Sequence, residues 1–128
     1  MDITHIEIFG EVKKATVALE KYILDENHNL IRCNDLKKWG EWHSDASNRA
    51  VAKTTINEVE VSTVFLGVNH NWNPGPLILF ETMVFGGKLD EEQERCSTWD
   101  EALLQHKEMV EQVCAVEGNV TVGRCIIK

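Results

Sequence analysis

No apolar run in this chain approaches the roughly 20 residues a membrane-spanning helix needs, and the opening MDITHIEIFGEVKK has acidic residues where an export signal would be basic. A cytoplasmic protein with no membrane partner is expected. Four cysteines, Cys33, Cys96, Cys114 and Cys125, stand far apart with no C-x-x-C pair and no His at zinc-finger spacing. That pattern excludes a disulfide framework and reads as scattered thiols in a reducing compartment. Basic residues are few and dispersed, 13 Lys and Arg against 21 Asp and Glu, for a formal charge of −8. Nucleic acid is therefore not expected as a partner, since phosphate binding needs basic clusters. Catalytic signatures are missing as well. There is no G-x-S-x-G elbow, no H-E-x-x-H and no phosphate-binding glycine loop, and Gly86-Gly87 leads into KLDEEQER, too acidic to cradle a phosphate. No cofactor and no metal is assigned, and no catalytic residue is named.

What is present is enough for one globular domain over 1–128: 128 residues, 43% hydrophobic and 27% charged. The chain is organised around two apolar runs, Val59 to Leu66 and Leu77 to Phe85, which read as central strands joined by the loop GVNHNWNPGP. Both prolines fall in that loop, which cannot continue a strand ladder. Before these runs, a short strand is expected within Asp2 to Phe9. A half-buried strand should follow over Lys14 to Leu24, where a helix is the alternative, then a DENHN turn at 25–29 and a partner strand over Leu30 to Cys33. Asn34 or Asp35 can cap a short helix carrying Leu36, Trp39 and Trp42. The polar stretch 43–48 leads to a strand over Arg49 to Ile56 and a tight Asn57-Glu58 link. KLDEEQER reads as an acidic linker. After it, Thr98 and Glu101 form a capping box, and Trp99, Ala102, Leu103, His106, Met109, Val110, Val113 and Cys114 trace one apolar stripe. Gly118-Asn119 ends that helix, and Val120 to Ile127 is a last strand. The sum is an α+β domain, an antiparallel sheet of about five or six strands packed by one long amphipathic helix and one short one.

The runs VSTVFLG (61–67) and LILFETMVFGG (77–87), with NRAVAKT (48–54), His70 and the helix opening TWDEA (98–102), resemble a family of small proteins of tailed bacteriophages and prophages. The likeness runs from about Asn48 to Val113, with Cys96 and Gln105 standing where the family pattern has an aromatic and a Gly. It implies a phage accessory protein acting inside an infected bacterium, and it supplies no activity.

Candidate site residues come from two places. In the loop, His70, Asn71, Trp72 and Asn73 combine an imidazole, carboxamides and an indole, able to stack on and hydrogen-bond a planar polar ligand, or equally to cap their own loop. Elsewhere, Glu81 interrupts an apolar face and needs water or a partner such as Arg49, Arg95, His70 or His106. His106 lies on the buried helical stripe, where a hydrogen-bonded core histidine is the bland alternative to a ligand. A mixed site of His106, His70, Glu81 and Asp90 is conceivable for a metal, but their spacing gives it no support. The leading expectation is a protein without turnover that binds a host protein or sequesters a small polar, nucleotide-like ligand through Arg49, Arg95 and Trp72, a role suited to evading host defence. The alternatives are a small hydrolase or nucleotide-modifying enzyme using Glu81 with His70 or His106, and an oligomeric structural protein.

Overall fold

The computed structural model describes residues 20–128 and, before them, the backbone of two strands, β1 (Thr4–Ile8) and β2 (Glu11–Ala15), which pair antiparallel from Thr4 opposite Ala15 to Ile8 opposite Glu11. Of the strand expected over Lys14 to Leu24, residues 16–19 lie outside the described part. β3 (Tyr22–Leu24) and β4 (Leu30–Arg32) form a second hairpin. The Asp25 carboxylate closes its turn by accepting the N–H groups of Asn27 and Asn29, both at 2.8 Å, the self-capping expected of Asp and Asn. α1 (Leu36–Ser44) starts on Asp35, which accepts the Lys38 N–H at 3.1 Å. α2 (Ala46–Arg49) follows on Asp45; this short helix was not expected from the polar string 43–48.

The main sheet is antiparallel, with β5 (Ala50–Ile56), β6 (Val59–Phe65), β7 (Phe80–Phe85), β8 (Gln93–Cys96) and β9 (Val122–Ile127) in the order β8-β7-β6-β5-β9. The two central runs are internal strands, as their two-sided apolar character implied. KLDEEQER is only partly a linker, because its end enters edge strand β8. That strand is held by pairing with β7 from Phe80 opposite Cys96 to Met83 opposite Gln93, not by an apolar pattern of its own. α3 (Trp99–Glu117) is the long helix. Thr98 caps it by accepting the Glu101 N–H at 3.1 Å, and Gly118 ends it at φ 78°, its N–H reaching the Cys114 carbonyl.

α3 covers one face of the sheet, the face of Ala52, Thr54 and Ile56 on β5, Val61, Thr63 and Phe65 on β6, and Phe80, Thr82 and Val84 on β7. Two apolar clusters result. One gathers Tyr22, Val51, Phe65, Leu79, Phe80 and Ala102, with Trp42 and Trp99 packed on it, and the other Ile56, Val59, Val61, Val84, Met109 and Val113. Each fully buried side chain of this size contributes about 1.5–3 kcal/mol of burial. α1 is tied to the end of β6, where the Trp39 indole donates to the Gly67 carbonyl at 3.2 Å. A Cβ on Gly67, which sits at φ 77°, would come within 2.7 Å of the His43 ring, so glycine is required by both conformation and contact.

Candidate functional site

Between the two apolar clusters runs a polar band, one residue from each element it crosses. Thr54, Thr63 and Thr82 occupy the middle of β5, β6 and β7 with their hydroxyls under α3, and His106 descends onto them from the helix. His106 Nε2 lies 2.8 Å from the Thr54 hydroxyl and Nδ1 2.7 Å from that of Thr63, which is 2.7 Å from Thr82. The Thr54 hydroxyl donates onward to Cys125 Sγ on β9 at 3.2 Å. One ring nitrogen donates to a threonine hydroxyl and the other accepts from one, and the Thr63–Thr82 bond continues the chain. Only a neutral imidazole offers one donor and one acceptor, and burial, which pushes the His106 pKa down, favours that form.

The Cys125 end of this band opens into a cleft of about 430 Å³ between α3 and β9. Leu103, Val110, Val122 and Ile127 give it apolar walls, Thr54 and His106 lie at its floor, and the exposed Lys107 and Glu111 stand one helical turn apart on its rim. The cleft exists because β9 is an edge strand with every residue exposed, so the α3 stripe runs out of sheet to pack on. It can hold an apolar body, with uncommitted polar groups only at the rim, since those of Thr54 and His106 are already hydrogen-bonded. Both His106 nitrogens are engaged by threonine hydroxyls.

The loop residues are brought together, but chiefly with each other. His70 Nδ1 sits 2.8 Å from the Val68 carbonyl, Asn71 donates its side-chain amide to the Pro76 carbonyl at 2.8 Å, and its Oδ1 accepts the Asn73 N–H at 3.0 Å. Trp72 is 69% exposed and only 6.0 Å, ring to ring, from His70. The loop caps itself. Glu81 pairs with Arg95 on the neighbouring strand at 2.9 Å, one of the partners expected for it. Because Thr82 points under α3, strand alternation puts Glu81 on the opposite face of the sheet, away from His106. The convergence needed for a Glu81–His106 acid–base pair is therefore absent. Arg49 ends α2 with a buried Nε that has no partner among the described residues, and it shares no hydrogen bond, ring contact or cavity with Arg95 or Trp72 there. The described hydrogen bonds and ring contacts do not join Arg49, Arg95 and Trp72 to one another.

Among the described residues no group of His, Cys, Asp and Glu could hold a metal ion, and no helix is long and apolar enough to cross a membrane. The described cysteines are unpaired, and burial, with the nearby Glu101, pushes the Cys96 thiol up to about 11, which keeps it protonated near neutral pH. The residues of the band that reading the sequence missed are Thr54, Thr63, Thr82 and Cys125. Their only trace is a threonine at the centre of each of three otherwise apolar strand faces. No family model, no curated protein and no solved structure matches this chain, so the site rests on its own geometry.

Proposed function

We propose that the protein is a non-enzymatic binding module that takes up a small amphipathic molecule in the cleft between α3 and β9. The apolar body lies along Leu103, Val110 and Ile127, and a hydrogen-bonding head sits at the rim by Lys107 and Glu111. One observation carries the reading: the cleft's volume of about 430 Å³ falls in the range of about 300–1,000 Å³ typical of small-molecule sites, with apolar walls and few polar groups. Neither Lys107 nor Glu111 is spent on an ion pair among the described residues, so both remain available to a head group. Seen with the phage-like motifs, the ligand would be a small molecule of an infected bacterium, withdrawn by binding and not by turnover. The polar, nucleotide-like ligand expected from the sequence gives way to a more apolar one, since the accessible space is walled by aliphatic side chains.

The test is a fluorescence titration of the full chain with N-phenylnaphthylamine, an apolar probe with one N–H. One saturable site is expected, weakened about tenfold or more by Val110→Trp, which fills the cleft, and by Leu103→Trp independently. No saturable binding, or equal binding by both variants, would overturn the reading.

A further inference from the structure

We propose that the protein carries a second site, for an organic ammonium ion, in the hollow between the Asp25–Asn29 turn, α1 and the start of α3. The hollow has a volume of about 280 Å³. Its walls come from segments far apart in sequence: Glu26 and His28 of the turn, Trp42 of α1, Asn48 of α2, Trp99 at the head of α3, and Lys128 after β9. It shares no lining residue with the α3/β9 cleft.

The two indoles are held in place by packing. The planes of Trp42 and Phe65 cross at 84° with ring centroids 5.7 Å apart, and those of Trp99 and Phe80 at 81° and 6.2 Å, while Trp99 stacks on His28 at 3.6 Å with 5° between the planes. His28 achieves this stack from a left-handed backbone at φ 64°, a position glycine would occupy without strain, so the turn gives up conformational ease to place an imidazole on Trp99. A fixed indole offers an uncovered π face to a cation without further ordering, for Trp99 the face that His28 leaves free, and the attraction grows as the cation leaves water.

The polar groups around the indoles are mostly acceptors. Asn48 donates its side-chain amide to the Trp42 carbonyl at 2.9 Å, which leaves its own carbonyl oxygen. Asp25 stays anionic, because the Asn29 backbone N–H, followed by further N–H donors of Asn29 and Asn27, holds its carboxyl below the usual range. Glu26 is exposed and has no ion pair among the described residues. Lys128 is the one lysine or arginine lining the hollow, so a single ammonium there stands against the two carboxylates of Asp25 and Glu26. A phosphate or carboxylate would meet the charges of Asp25 and Glu26, and a neutral apolar molecule would leave Glu26 without a partner. An alkylammonium ion answers the carboxylates and the indoles together.

The probe is butylammonium chloride, with butanol in matched sodium chloride as the neutral control of similar shape, added to the full chain while the indole N–H resonances are followed by NMR. Butylammonium is expected to shift Trp42 and Trp99 saturably, to leave Trp72 in place, and to bind about tenfold tighter than butanol. Glu26→Gln, an exposed change, should weaken it several-fold while the thermal midpoint stays put. Trp42→Leu, which keeps an apolar group against Phe65, should abolish the shift at Trp99. Equal binding of butanol and butylammonium, indole signals that do not move, or undiminished binding by Glu26→Gln would overturn the proposal.

Discussion

The loop after β6 and the layer beneath α3 each contain a histidine surrounded by hydrogen-bonding side chains, and they put them to opposite uses. Around His70 the polar groups are adjacent in sequence and bond one another and the loop backbone, so they shape the loop and leave only an exposed Trp72. Around His106 they come from four elements and bond across the core, dividing the two apolar clusters and ending at Cys125 beside an open cleft. A dense run of Asn and His in sequence thus marks a self-contained turn here, while three threonines scattered over separate strands mark the polar band that ends beside the open cleft.

The largest effect expected from this contrast comes from removing the two histidines in turn. His106→Ala deletes the partner of two buried hydroxyls and opens a cavity, and should cost about 3 kcal/mol in urea unfolding. His70→Ala should cost under about 0.5 kcal/mol, as surface changes usually do. Equal costs would erase the distinction between the two regions.

A smaller effect sharpens it. Thr63→Val leaves His106 Nδ1 and Thr82 short of a partner and should cost about 2 kcal/mol, and a double-mutant cycle with His106 should show non-additivity of about 1 kcal/mol or more. Additive costs would mean that the band is a set of neighbours and not one connected network.

The band should also respond to pH. Burial lowers the His106 pKa from its ordinary value of 6.5, so below that pH the unfolded chain binds the extra proton first. Stability is then complete above about pH 6.5 and falls as pH drops from there toward the folded-state pKa, by at most about 1.4 kcal/mol per pH unit for one group. Unfolding free energies measured between pH 7.5 and 5 should show this slope in the wild type and lose it in His106→Ala. A slope of the same size in the variant would assign it to other groups.

The smallest effect belongs to the sheet face opposite α3. There the Glu81–Arg95 pair is partly open to water, with side chains 16% and 40% exposed, and Arg95→Ala should cost about 1 kcal/mol or less. A loss as large as that from Thr63→Val would make Glu81 more than a structural pair.

These contrasts explain which parts of the molecule could be read from the sequence. α3 was legible because its cap and its stripe are local, and they already placed His106 on the buried side. β6 and β7 were legible because internal strands rich in β-branched and apolar residues stand out in sequence, although only the face under α3 is fully buried. β8 was hidden in KLDEEQER, since cross-strand pairing holds it and burial does not, and α2 was hidden in a polar string whose only helical signal is the Asp45 cap. The cleft could not be read at all. It depends on β9 lying beside β5, with Cys125 opposite Thr54, and on a register that brings Thr63 opposite Thr82; both are long-range pairings that leave no local pattern. The same is true of Trp42 and Trp99, which as isolated letters read only as packing.

The most direct measurement is an amide NMR map of the full chain titrated with N-phenylnaphthylamine, whose ring currents report contact residue by residue. If the α3/β9 cleft is the binding site, saturable shifts should concentrate at Leu103, Val110, Cys125 and their neighbours, with the amides of residues 69–73 unmoved. Shifts centred on the loop, or none that saturate, would contradict the account.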